Sequence, residues 1–141
     1  MYDHILLPVD LSHPDANDKA MRTARQIARD YDAVLHVLSV VPPIEAFAAS
    51  FFPDGHVKDM TEAALELLHA YTREADLEGV NTQHVVAHGS IYDQILSIAG
   101  TVKADLIVMA SHRPELSDYL LGPTAARVVR HAHCSVMVVR K

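Results

Sequence analysis

One cysteine, Cys134, is all the thiol this chain of 141 residues carries. An internal disulfide is excluded, and the composition suits a reducing cytoplasm. Long apolar runs are missing: none approaches the roughly 20 residues that cross a bilayer, so no membrane span is expected. The opening Met1-Tyr2-Asp3-His4 lacks a basic stretch ahead of a long apolar core, so no signal peptide is expected either. Basic residues are few and scattered. Twelve lysines and arginines face eighteen carboxylates, for a formal charge of −6, which argues against a nucleic-acid surface. Three nucleotide and hydrolase signatures are also absent. There is no G-x-x-x-x-G-K-[ST] loop, no G-x-G-x-x-G after the first strand, and no G-x-S-x-G elbow, which disfavours a Walker P-loop, a dinucleotide Rossmann site and an α/β-hydrolase.

What is present is apolar content and alternation. Half the residues are apolar, which fits a single domain, residues 1–141, with one sizeable core. Ten histidines stand out. They can take up positive charge as pH falls through about 6.5, but their number alone names no role.

The runs HILLPV (His4–Val9), AVLHVLSVV (Ala33–Val41), TQHVVA (Thr82–Ala87), the stretch Asp105–Ala110 and SVMVVR (Ser135–Arg140) read as five strands, the inner ones buried. Between them lie helical patterns. The first runs to about Arg29, with Ala20, Ala24, Ile27 and Ala28 on one stripe and Ser12, Asp15 or Asn17 as caps. The second is capped at Asp59 or Thr61, turns Ala64, Leu65, Leu68 and Tyr71 or Thr72 inward, and ends near Leu77 and Gly79. The third follows Gly89-Ser90, with Ser90 and Asp93 near capping-box spacing. The fourth spans 122 to about 133. Residues 42–58, with Phe47, Phe51 and Phe52 among prolines, stay undecided between a flap and a short helical lid. Strand–helix alternation throughout predicts an α/β fold, a parallel sheet with helices on both faces.

In such sheets ligands sit beyond the C-terminal strand ends, where strand order reverses. Two ends look prepared: Pro8-Val9-Asp10, and Met109-Ala110-Ser111 followed by a polar loop to Gly122-Pro123-Thr124. If the two strands are neighbours, Asp10 faces the entrance of the last helix. That entrance offers free N–H groups and a positive dipole end to a phosphate, and Arg113 adds a forked donor. Asp10 can accept from ribose hydroxyls or help hold a divalent cation; its plainer role is to cap the first helix. The cluster His131, His133 and Cys134 admits a metal, yet the helix-to-strand junction scatters these side chains. His84 and His88 read as partly exposed sheet residues.

At these residues a resemblance becomes visible. The opening ILLPVDLS, the SVVP after the second strand, and the block IVMASHRPELSDYLLGPTAARVVRHAHCSVMVVR resemble the universal stress protein family, nearest its short bacterial members with a SHRP loop. The resemblance covers the chain end to end. It implies an adenine nucleotide alpha hydrolase-like sheet in the order 3-2-1-4-5 and a homodimer through the strand Ser135–Arg140. It also implies ATP, with Mg or Mn, as ligand. Pro8, Val9, Asp10 and Val40 would line the adenosine end. Met109, Ala110, Ser111, Arg113, Gly122, Pro123 and Thr124 would line the phosphates, and Asp10 would be the metal contact. ATP-binding members carry G-x2-G-x9-G-[ST]. Here Ala110 and Arg113 replace the first two glycines, eight residues separate Arg113 from Gly122, and Pro123 stands at the hydroxyl position with Thr124 after it. The expectation is a nucleotide-responsive dimeric regulator with at most slow ATPase or self-modifying activity. The alternative is a dimeric scaffold with a degenerate nucleotide site, binding an unknown protein partner.

Overall fold

The computed structural model describes residues 1–43, 55–111 and 122–140. Five strands, β1 His4–Pro8, β2 Val34–Val41, β3 Thr82–His88, β4 Leu106–Ser111 and β5 Ser135–Arg140, alternate with four helices, α1 Asp18–Tyr31, α2 His56–Glu74, α3 Ile91–Thr101 and α4 Pro123–His131. The strands form one sheet in the order β3-β2-β1-β4-β5, and every pairing is parallel. The expected sheet order is the observed one.

The sheet is covered on both faces because its inner strands carry apolar residues toward both sides, with His36 and Ser39 of β2 as buried polar exceptions. Ile5, Leu7, Leu35, Val37, Leu106 and Val108 point to one side, where α1 supplies Ala20, Met21, Ala24 and Ala28 and α2 supplies Leu68. Leu6, Leu38, Ile107 and Met109 point to the other, against Ile95 of α3 and Ala125 and Val128 of α4. Small alanines on α1 let that helix sit close to the strands, and the predicted alanine stripe is the buried one, with Met21 added.

Element ends depart from the sequence pattern for identifiable reasons. α2 begins at His56, earlier than a cap at Asp59 or Thr61 allows, because Gly55 takes a left-handed φ of 85° at the N-cap. Asp59 instead lies in the first turn, where its charge opposes the helix dipole. The Thr61 hydroxyl bonds back to the Val57 carbonyl at 2.8 Å. The same helix stops at Glu74. Asp76 then turns with φ 51°, and Gly79 serves a later turn at φ 80°. Of the predicted inward residues on α2, Leu68 and Thr72 are buried, while Leu65 is exposed. Ser90 is the N-cap of α3, but its side chain makes no capping bond. The flap-or-lid question for residues 42–58 falls mostly outside the described residues.

Candidate functional site

Strand order reverses between β1 and β4: β2 and β3 lie to one side of β1, β4 and β5 to the other. The two strands are neighbours, as the site hypothesis requires. Their ladder is short. β1 is in register with β2 from His4 to Pro8, and β4 with β5 from Leu106 to Ser111. Between β1 and β4 the register holds only at Ile5↔Leu106 and Leu6↔Ile107. Pro8 has no N–H to continue a ladder, and the Val9 N–H turns toward β2, donating to the Leu38 carbonyl at 2.8 Å. The strands are joined at their N-terminal ends and part toward their C-terminal ends. Where strand order reverses and the register has ended, a ligand crevice is expected between Pro8–Asp10 and Met109–Ser111.

Asp10 is fixed at the mouth of this crevice. Its N–H donates to Asn17 Oδ1 at 3.1 Å and its carbonyl accepts from Asn17 Nδ2 at 2.8 Å. Asn17 is 1 % exposed, so this amide pair is a buried brace. The Asp10 carboxylate accepts the Ser12 N–H at 2.9 Å and lies 3.2 Å from His13 Nδ1, yet its side chain stays one-third exposed (33 %). It shapes the loop ahead of α1 and does not cap the helix. Asn17 holds the N-cap position of α1, but makes no side-chain capping bond there. Sequence reasoning counted Asn17 as one cap among three. Nothing in its spacing announced that its amide would turn back onto residue 10.

The remaining candidates fall into three groups. Pro8 and Val40 are half-buried; the last register partner of β1 on β2 is Leu38, so Val40 extends past the end of β1 beside the crevice. Val9 and Met109 have side chains in the two cores, at 8 % and 5 % exposure, and can offer a ligand mainly backbone. Ala110 and Ser111 are half-buried at the end of β4. Arg113, with residues 112–121, lies outside the described residues.

The entrance of α4 completes the site. Gly122 is the N-cap with φ −58° and ψ 156°, Pro123 opens the helix, and no side chain caps it. Gly122 is not required for its backbone angles; a Cβ built there meets nothing within 4 Å, so the space in front of the helix is open among the described residues. Asp18, Asp59 and Asp93 lie in the first turns of α1, α2 and α3, whereas α4 has no acid in its first turn. Among the described residues no first-turn acid compensates the dipole end of α4, and the amides of Thr124 and Ala125 lack intrahelical acceptors. Arg127 stands over the Tyr92 ring at 5.4 Å, tying α4 to α3.

Metal candidates fare differently. Among the described residues no group of three histidine, cysteine or acidic side chains is arranged to hold a metal. The His131 ring packs edge-on against Tyr92, with centroids 5.8 Å apart. Burial, with Asp105 nearby, pushes the Cys134 thiol up, away from the thiolate a metal needs. Asp10 is a single carboxylate, already engaged. That suits a cation carried in on phosphate oxygens, as Mg²⁺ usually is, rather than a resident ion.

Comparison with known proteins agrees with this architecture. A family model described as the universal stress protein family matches residues 1–140. Universal stress protein G of Shigella flexneri is 33 % identical over 146 aligned positions, covering 99 % of this chain and all of that protein. A universal stress protein of Methanocaldococcus jannaschii is 32 % identical, covering all of this chain and 84 % of its own. Among solved structures, UspA from Lactobacillus plantarum superposes with a TM-score of 0.75 at 27 % identity, covering 99 % and 98 % of the two chains. A universal stress protein crystallised in complex with cAMP superposes with a TM-score of 0.69 at 24 % identity, covering 98 % and 96 %.

Proposed function

Because the chain belongs to the universal stress protein family, we propose that it is an adenine-nucleotide-responsive dimeric regulator whose ligand lies in the crevice between β1 and β4. The observation that carries this reading is the early end of the β1–β4 register, together with the entrance of α4, which among the described helices is the one without an acid in its first turn. Adenosine sits against Pro8, Val9, Asp10 and Val40, with Asp10 accepting from ribose hydroxyls. The phosphates meet the backbone of Ala110 and Ser111 and the first turn of α4, where Thr124 supplies a hydroxyl in place of the one Pro123 lacks. Arg113 belongs to the loop between them and adds charge suited to phosphate. The cAMP complex of a protein with this fold supports an adenine nucleotide as the ligand class, with ATP and a divalent cation as the form favoured here.

Regulation fits this site better than turnover. Phosphoryl transfer to water needs a base or a water-positioning group near the terminal phosphate. Asp10 is the one acid at the crevice among the described residues, and it is assigned to the adenosine end, with its carboxylate already holding Ser12 and His13, away from the terminal phosphate. Any hydrolysis is slow.

The dimer forms through β5. That strand has β4 on one side, none of its residues is fully buried and Met137 is 39 % exposed, and an open apolar edge strand is a surface that pairing removes. The alternative scaffold reading draws on the same departures, Pro123 at the helix entrance and the engaged Asp10. Thermal unfolding with and without MgATP separates the two. A binder gains RT ln(1 + [L]/Kd), about 2.7 kcal/mol at 100 times Kd. An unchanged midpoint at millimolar MgATP leaves only the scaffold.

A further inference from the structure

Four of the ten histidines meet in pairs, one pair on each face of the sheet. His4 of β1 and His36 of β2 stack with centroids 5.3 Å apart, and His4 Nδ1 lies 3.0 Å from His36 Nε2. They share the face of Leu6 and Leu38, under α3. On the other face His69 of α2 and His84 of β3 have centroids 4.0 Å apart, and His84 Nε2 is 2.7 Å from Thr72 Oγ1. Each pair fastens two separate elements of the fold.

The chemistry of each contact depends on protons. A hydrogen bond between two ring nitrogens needs one N–H and one lone pair. The His4–His36 contact therefore exists only while one facing nitrogen is unprotonated; two imidazolium rings would set N–H against N–H at 3.0 Å. In the second pair the Thr72 hydroxyl donates to the His69 carbonyl at 3.1 Å and so accepts from the His84 Nε2–H. Acid acts there by setting two cationic rings 4.0 Å apart, an exposed His69 and a half-buried His84, against each other.

The neighbours do little to offset this. Around His36, α3 packs apolar Ile95, Ile98 and Ala99 on that face, and β3 brings uncharged Gln83 into register. The connection into β4 carries Lys103 and Asp105, and the Asp105 carboxylate already accepts the N–H groups of Asp3 and His4 at 2.8 and 3.1 Å. His84 and His69 line a shallow depression of about 470 Å³ together with Arg73, Asp76 and Glu78. The Arg73 cation opposes the two carboxylates there. Val37 of β2 lies in register beside His84, and His88 follows on its own strand. Burial first, and the partner ring second, hold both His36 and His84 below the ordinary histidine value.

We propose that the two histidine pairs are an acid-sensitive fastening: each holds its elements best while one of its two rings is neutral, through the shared ring proton in His4–His36 and the absence of cation–cation repulsion in His69–His84, so mild acid loosens β1 from β2 and α2 from β3. The direction follows from linkage. His36 and His84 bind protons more readily in the unfolded chain than in the folded one. Stability from this source is complete above the unfolded value of about 6.5 and is lost as pH falls below it.

Equilibrium unfolding of the full chain by urea, between about pH 7.5 and 5, tests the proposal. His36 and His84, held neutral more strongly in the folded chain than in the unfolded one, each lower the folding constant by at most about 10-fold per pH unit toward the acid end. His36→Gln and His84→Gln keep an amide for the neighbour but do not titrate. Each flattens the pH dependence, and the double variant flattens it most. A double variant with the wild-type pH slope overturns the proposal, whatever its absolute stability. Should His36→Gln fail to fold, the ring resonances of the wild-type protein decide. Rings of His36 and His84 that stay neutral below pH 6.5 support the fastening, and rings that titrate at or above that value overturn it.

Discussion

The two ends of the β1–β4 pair are built for opposite purposes. At the N-terminal end the strands are in register, through Ile5↔Leu106 and Leu6↔Ile107, and an aspartate closes the junction. Both carboxylate oxygens of Asp105 accept main-chain N–H groups, those of Asp3 and His4, and the Asp105 N–H donates to the His4 carbonyl at 2.9 Å. At the C-terminal end the same strands separate. The aspartate there, Asp10, shapes its own loop and leaves a third of its side chain to solvent. A parallel sheet with reversed strand order needs both ends: one to hold the strands together, one to leave room for a guest. The lesson is that the same residue type beside the same strands is locked where main-chain donors across the junction meet it and stays partly open where they do not.

The closed end can be broken without touching the open one. Asp105→Ala leaves the N–H groups of Asp3 and His4 without their carboxylate and is expected to cost about 2 kcal/mol. Urea unfolding measures this, and the MgATP-induced stabilisation should persist at a temperature where the variant is folded. Loss of nucleotide response together with stability would erase the division between the ends.

The open end can be altered with the reverse outcome. Gly122→Asp puts a carboxylate at the one helix entrance that lacks an acid in its first turn, in space where a Cβ meets nothing within 4 Å. An aspartate there caps the helix, so stability is expected to hold or to rise by about 0.5 kcal/mol. It also brings like charge to the proposed phosphate position, so ATP affinity measured by calorimetry should fall by about 10-fold, a difference of about 1.4 kcal/mol.

Much of this division was legible in the residues, and some was not. The runs around Leu6, Val37 and Ile107 are apolar on both faces, which a strand shows only when covered on both sides. The alternation with helices gave the parallel sheet, and the positions of Pro8–Asp10 and Gly122–Thr124 after and before their elements gave the candidate crevice. Other features depend on how distant segments align. The ladder between β1 and β4 is two register pairs long, a length no local pattern encodes. His4 meets His36, and His69 meets His84, across separate elements; the sequence showed only a high histidine count. Asn17 bears a signal typical of caps, and its buried amide is used for a different neighbour. α2 starts before its expected caps because a glycine with positive φ can open a helix unaided.

The most direct test is amide chemical-shift mapping of the full chain as MgATP is added. The account predicts shifts at Val9, Asp10, Ala110, Ser111, Thr124 and Ala125, with the amides of Asp3, His4 and Asp105 at the closed end of the same strands unmoved. Shifts centred on the closed end, or none at saturating millimolar nucleotide, would contradict it.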